Sequence, residues 1–281
     1  MATPISVWVT GEGGFVGNAI VRSARDSNVI SLTRREIDLT DFHAVSARFR
    51  QDKPDFIIHT AAMARSPDCQ ANPTLSRKIN VAATAHLAGL AQNIGFIFFS
   101  TDLVFDGKKG NYVETDEPNP LSVYAETKVA AEQIILRNPQ HTVVRCSLVF
   151  GASPKGNHSF NEDLRAAWNA GKTTKLFHDE YRTPIHVDLV ARAIWEIVAQ
   201  KHSGLFHLAG AEKFSRLQLG ELVAARYPEL TPRIESCSLR EYQGPPRPRD
   251  ASLNCAKLQS LVSFKLAGLN EWLEQHPDAG F

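Results

Sequence analysis

The chain of 281 residues is poor in several things, and each shortage closes off a class of function. Cysteine is scarce: Cys69, Cys146, Cys237 and Cys255 stand far apart with no CxxC pair, so reduced, partly buried thiols are expected rather than a disulfide framework. Excess charge is nearly absent at +1, which gives no case for nucleic acid or an acidic membrane surface as partner. No apolar run approaches the length that crosses a bilayer, and the start "MATPISVWVT" lacks a basic leader region, so a cytoplasmic protein is expected. Repeats, low-complexity tracts and a clean interdomain linker are missing. Ser100 lies in no GxSxG elbow, which argues against a hydrolase. The histidines lack ligand spacing. His178, Asp179 and Glu180 are adjacent and cannot easily point at one ion, so no metal is expected and this stretch reads as a loop near substrate or cofactor.

What is present is an ordinary globular composition, 43% hydrophobic and 22% charged, long enough for a nucleotide domain with a smaller partner. The first half alternates short apolar runs with helical patterns. Strands are expected at Ile5–Thr10, Asn28–Leu32, Asp55–His59, Phe96–Ser100 and His141–Ser147. Helices are expected at Gly14–Ala24, Asp41–Gln51 (with Asp41 as N-cap), Ser76–Asn93 and Leu121–Leu136. Strands separated by helices make βαβ units and a parallel sheet, and continuous apolar runs fit strands covered on both faces. The fold class is therefore α/β, a Rossmann-type doubly wound parallel sheet with a smaller C-terminal lobe.

After Gly151 the pattern loosens. "GASPKGNHS" reads as a loop, Phe160–Ala170 as a helix, a further helix begins near Val187, "GLFHLAG" is one more sheet strand, and Gly268–Gln275 is a last short helix. The prolines of "GPPRPRD" (244–250) exclude regular structure there. The expected division is a nucleotide-binding domain over 1–150, completed by about 185–208, with 151–184 and 209–281 forming the substrate lobe.

Gly11, Gly14 and Gly17 form a GxxGxxG array directly after the first strand, with Gly13 as a fourth glycine. Glycine permits the tight turn and lets backbone N–H groups approach a pyrophosphate, while the following helix directs its positive end at it. A dinucleotide is the expected ligand. At the end of the second strand stand Arg34 and Arg35 instead of an acid, which favours the 2′-phosphate of NADP and leaves NAD as the alternative. Asp38, six residues past that strand, suits a place near the adenine.

Ser100-Thr101-Asp102 ends the fourth strand, and Tyr124 and Lys128 lie four apart on the next helix, on one face. Strand ends at Thr10, Ala61-Ala62 and Thr101 converge on the crevice where α/β sheets hold ligands. There Tyr124 can act as general acid to a ketone oxygen that Thr101 positions. A free tyrosine ionises near pH 10, and Lys128 together with the positive charge of an oxidised nicotinamide is expected to lower that value; about three units would correspond to about 4 kcal/mol. Lys128 can also hold a ribose.

Set side by side, these residues resemble the extended short-chain dehydrogenase/reductase superfamily. Within it, the chain is similar to the dTDP-4-dehydrorhamnose reductase family and to the regulatory β subunit of methionine adenosyltransferase. The resemblance is carried by "TGEGGFVG" (10–17), "DLTD" (38–41), "HTAAMARSPDCQANP" (59–73), "INVAAT" (79–84), "STDLVFDG" (100–107), "YAETK" (124–128), "DEYRTP" (179–184) and "PRPRDASLNCAKL" (246–258). It implies Thr101, Tyr124 and Lys128 as a catalytic trio. It implies cofactor contacts from Gly11, Gly13, Gly14, Phe15, Val16, Gly17, Arg34, Arg35, Asp38, Leu39, Ala61, Ala62, Met63, Ser100, Tyr124 and Lys128. It implies substrate contacts from Thr101 and Asp102, and Leu148 and Arg182 join them as candidates, Arg182 for a diphosphate or as a plain surface arginine. The arginines of "PPRPR" (245–249) are expected to fold over the cleft.

Two positions depart from the family: Leu103 and Leu148 replace an aromatic residue and a tryptophan, which implies a differently shaped sugar pocket. The implied function is NADPH-dependent reduction of a 4-keto-6-deoxy sugar nucleotide. An NADP-binding regulatory subunit and a sugar-nucleotide epimerase are the alternatives, and a homodimer is left open.

Overall fold

The computed structural model describes residues 4–277 and 279, apart from 26, 155, 157 and 158. Three positions of the expected loop 151–159 therefore lie outside the described residues. Six strands make the central sheet: β1 (Ser6–Thr10), β2 (Asn28–Leu32), β3 (Phe56–His59), β4 (Gly95–Thr101), β5 (His141–Cys146) and, much later in the chain, Gly204–Leu208. Between β5 and that late strand come the short β6 (Val149–Phe150), β7 (Thr174–Phe177), β8 (Tyr181–Arg182) and β9 (Ile185–His186), which makes the late strand β10. The order is β2-β1-β3-β4-β5-β10, and every neighbouring pair is parallel. The chain runs from β1 outward to β2 and then returns to place β3 on the other side of β1. That reversal opens a crevice at the carboxyl ends of β1 and β3.

Both faces of the sheet are covered, as its unbroken apolar strands require. Val7, Val9, Ile58, Ile97 and Val144 pack beneath α1 (Phe15–Arg22) and α8 (Val187–Gln200). The alternate residues Trp8, Ile57, Phe96, Phe98 and Val143 meet α2 (Phe42–Asp52), α5 (Ala83–Leu90) and α6 (Val123–Ile135).

The helix ends follow local chemistry. Gly14 is the N-cap of α1, so that helix starts one residue later than expected. Asp41 caps α2 by accepting from the Ala44 N–H at 3.0 Å, as expected. Ser122 caps α6 by accepting from Ala125, which fixes its start at Val123 rather than Leu121. The long helix expected from Ser76 begins earlier, at α4 (Pro73–Arg77), because Asn72 accepts from the Leu75 N–H. It then passes through a π-helical turn, Lys78–Ala82, before α5. A one-turn helix, α3 (Ser66–Ala71), precedes it and was not expected.

The smaller lobe has its own core. Phe150, Leu164, Trp168, Leu219, Val223, Leu269 and Trp272 gather from β6, α7 (Phe160–Asn169), α9 (Arg216–Arg226) and α11 (Leu269–Gln275). Short two-stranded pairings stitch it together: β6 with β9, β8 with β11 (Phe214–Ser215) and β7 with β12 (Ile234–Cys237). Residues 244–249 form neither helix nor strand, in keeping with their prolines, and Asp250 makes an isolated bridge to Tyr181. A further short helix, α10 (Ala256–Gln259), lies against β10.

Candidate active site

The crevice is built from glycine. A Cβ on Gly17 would lie 2.4 Å from the Gly11 carbonyl oxygen, and one on Gly11, whose φ is +80°, would lie 2.7 Å from the Ala61 amide nitrogen. Both positions therefore bring backbone against backbone where a side chain has no room. Around Gly13, by contrast, a Cβ would meet nothing within 4 Å. The first turn of α1 holds no acidic side chain. The turn's own carboxylate, Glu12, accepts from Asn18 Nδ2 at 3.0 Å; an open glycine turn leading into a helix N-terminus suits a pyrophosphate.

Below the loop, His59 joins β1 to the helix layer. Its Nδ1 is 2.7 Å from Thr10 Oγ1 and its Nε2 is 3.0 Å from Thr84 Oγ1. Thr84 gives its own proton to the Asn80 carbonyl at 2.8 Å, so it must accept from Nε2–H, and Nδ1 accepts from Thr10. Burial pushes this imidazole down to about 3, so it is neutral. Asn80, inside the π-helical turn, accepts from the Met63 N–H at 2.8 Å and donates to the Met63 carbonyl at 3.1 Å. It also donates to Thr127 Oγ1 at 3.0 Å, and Thr127 donates to the Tyr124 carbonyl at 2.7 Å. One amide thus ties the Ala61–Met63 segment to the helix that carries Tyr124 and Lys128. His59 and Asn80 escaped the sequence reading; the histidine that closes the apolar run "DFIIH" was the available signal.

The expected trio meets at the carboxyl end of β4. The Thr101 and Tyr124 side chains are neighbours there, and Thr101 Oγ1 lies 3.2 Å from Asp102 Oδ1. Lys128 is buried one turn further along α6, with Nζ 4.0 Å from the Phe98 ring centroid. Their electrostatics correct the expectation from sequence. Burial first, then the Asp102 carboxylate, hold the Tyr124 phenol above its usual range, and Lys128 by itself does not bring it down. Lys128 itself is lowered to about 7 by burial, against the pull of Glu132. The phenol is protonated, and the amine changes charge near neutrality.

Other expected residues are placed as follows. Arg34 and Arg35 are exposed just beyond β2, whereas Leu39 packs on the core. The Asp38 carboxylate is taken up within its own turn by the N–H and hydroxyl of Thr40, both at 2.9 Å. Ser100 donates to the buried Glu132, which also receives Arg145. Asp102 accepts from Ser147 at 2.9 Å. Leu148 is half-buried against the core of the smaller lobe, near Phe160.

Arg182 is neither on the surface nor free to grip a diphosphate. It is 2% exposed, with Nη1 3.4 Å from Asp102 and Nη2 3.1 Å from Glu180. Glu180 is fully buried and also receives Arg216 at 3.1 Å and Arg247 twice at 2.8 Å. Burial opposes its charge, but the guanidinium groups of Arg216, Arg182 and Arg247 together hold it far below the usual carboxylate range. Arg247 keeps the most solvent exposure of the three guanidinium side chains and lies beside Phe177 and Tyr242. His178 and Asp179 turn elsewhere, to Ser236 and Ser238, so the three adjacent residues do diverge.

Residues 5–278 match the family model described as the RmlD substrate binding domain. The chain belongs to the RmlD family. Among its curated relatives, a dTDP-4-dehydrorhamnose reductase of Sinorhizobium fredii is 30% identical over 279 residues, covering 94% of this chain and 93% of the relative. The methionine adenosyltransferase 2 subunit beta of Rattus norvegicus is 28% identical over 273 residues, covering 91% and 82%. Among solved RmlD-like structures, a dTDP-4-dehydrorhamnose reductase from Bacillus anthracis in complex with NADP superposes with a TM-score of 0.90 at 20% identity. That superposition covers 97% of this chain and 98% of the other and shows that the fold is shared.

Proposed function

We propose that the protein is an NADPH-dependent reductase of a nucleotide-linked 4-keto-6-deoxy sugar. The observation that carries this reading is the juxtaposition of Thr101, at the end of β4, with Tyr124 and, one turn on, the buried Lys128 of α6. The family supports it, as does the S. fredii relative named as a reductase of such a sugar.

The loop Gly11, Gly13, Gly14, Phe15, Val16 and Gly17 would hold the pyrophosphate, Arg34 and Arg35 the 2′-phosphate, and Ala61, Ala62 and Met63 the face of the nicotinamide half. When bound, that cofactor supplies a hydride to the ketone carbon. The chain's own residues do the rest. Thr101 hydrogen-bonds the ketone oxygen and orients it. Tyr124, kept protonated by its surroundings, gives its proton to that oxygen as charge develops there. Lys128 holds the ribose and resupplies the proton. Residues 1–150 with 185–208 would bind cofactor, and 151–184 with 209–281 the sugar nucleotide. With Arg182 sealed inside, Arg247 and Arg249 of the proline-rich segment would face its phosphates.

The test is NADPH oxidation against a panel of nucleotide-linked 4-keto sugars. Turnover of at least one supports the reading, and tight NADPH binding without any turnover sinks it. That second outcome, with a partner protein captured, would favour a regulatory subunit, the reading suggested by the match to the rat β subunit.

A further inference from the structure

The lysine of the trio is enclosed, and the groups around it single out the one that governs its charge. Lys128 is 4% exposed. Facing it are Tyr124 and Glu132 from α6, Cys69 from α3 and His59 from β3. His59 is neutral, and burial raises the Cys69 thiol, so neither carries charge near neutrality. Tyr124 is protonated. Glu132 alone among them is an ordinary acid, and its spacing of four residues puts it on the helical face of Lys128.

Glu132 is 2% exposed and fully engaged. Arg145 reaches both its oxygens, Nε at 3.1 Å from each and Nη2 at 2.8 Å from Oε2, and Ser100 donates to Oε1. Ser100 and Arg145 are direct partners across β4 and β5, so the sheet presents both to the carboxylate. Arg145 Nη1 is buried with no hydrogen-bond acceptor among the described residues, and the guanidinium lies 5.1 Å from the Phe105 ring centroid. A buried ion pair of this kind adds little stability over apolar residues of the same volume. Its position behind the lysine gives it another use.

We propose that Glu132, clamped by Arg145 and Ser100, is a positioning residue that sets the charge state of Lys128. The carboxylate supplies the negative potential that keeps the ammonium charged in a dry site, and Arg145 moderates that potential from the far side. The proposal rests on the role given to Lys128 above. It implies a signature that a merely structural pair would lack: removing the acid alone and removing the base alone must shift the lysine in opposite directions.

The test uses the intact chain with 13Cε-labelled lysine, the Lys128 resonance being assigned by its loss in Lys128→Met. Glu132→Gln should lower the Lys128 titration midpoint by about one pH unit, a tenfold change in the ratio of charged to neutral amine. The double variant Glu132→Gln/Arg145→Met removes both charges and should bring the midpoint most of the way back. An unmoved midpoint in Glu132→Gln, or a double variant that stays where the single one is, overturns the proposal. Should Glu132→Gln fail to fold, Arg145→Met carries the test with the opposite sign: the midpoint must rise, and an unchanged or lower value overturns it. The readout needs no substrate, so a failure to reduce any keto sugar would count against the reductase reading and leave this result standing on its own.

Discussion

At the scale of single residues, the site separates groups that touch reactants from groups that hold them. Tyr124→Phe should lower kcat about a hundredfold or more while NADPH still binds, as stopped-flow turnover with a fluorescence titration would show. Near-normal turnover would remove the acid assignment. Arg34 and Arg35 are exposed past β2. Replacing both with alanine should cost about 1.5–3 kcal/mol of NADPH affinity, the scale of hydrogen bonds to a charged group, and leave NADH affinity unchanged. Equal losses for the two cofactors would mean that the arginines do not read the 2′-phosphate. Glu180→Gln leaves three guanidinium groups around a buried neutral amide. A loss of about 3–5 kcal/mol in a urea melt is expected, because removing one member of a buried charge cluster strands the others. Glu180 does lie in a loop, as expected, but its buried charge cluster was not legible in the sequence. Of its partners only Arg182 is a sequence neighbour; Arg216 and Arg247 come from distant segments, and no local pattern announces a carboxylate that gathers them.

At the scale of elements, legibility followed burial. The strands β1, β3, β4 and β5 were readable because both faces are covered and their apolar runs are unbroken. The strands β6, β8, β9 and β11 have only two residues each, too few to show any period, so nothing in the sequence separates them from loop. The π-helical turn at Lys78–Ala82 was hidden for a different reason: alanine-rich sequence suits an α-helix equally well, and the extra residue is stabilised by what Asn80 touches. The glycine turn, by contrast, was legible because it records steric need. Gly17→Ala would place a Cβ 2.4 Å from the Gly11 carbonyl oxygen. The loop must shift, and NADPH affinity should fall at least about tenfold, measurable by fluorescence. Gly13→Ala, whose Cβ meets no protein atom within 4 Å, should leave the melting temperature unchanged.

At the scale of the molecule, acid should be the weak side of the stability curve. Burial lowers His59 and His186 to about 3, and His207, despite the opposing Glu114, to about 4. Each binds a proton in the unfolded chain below about pH 6.5 but not in the folded one. The unfolded state therefore holds more protons between about pH 6.5 and pH 4, and stability falls as the pH drops through that window. Each histidine contributes up to about 1.4 kcal/mol per pH unit there. Thermal melts from pH 7 to pH 4 should show the decline, and a flat profile would mean that these rings are protonated in the fold. Lys128, lowered to about 7, acts at the other end: folding gains stability as pH rises from 7 toward 10.5, where the unfolded amine would still be charged.

The late arrival of β10 has a mechanical corollary. The polypeptide leaves the sheet after β5, builds much of the smaller lobe, and only then returns to supply the sixth strand beside β5. It departs once more and comes back a second time, where the Tyr112 N–H donates to the Ser252 carbonyl and the Asn254 N–H to the Tyr112 carbonyl. Two such returns act like stitches through both pieces of cloth. Neither lobe can swing as a free flap, a chain cut after residue 150 would expose the bare flank of β5, and access to the crevice falls to loops and side chains instead of a gaping hinge.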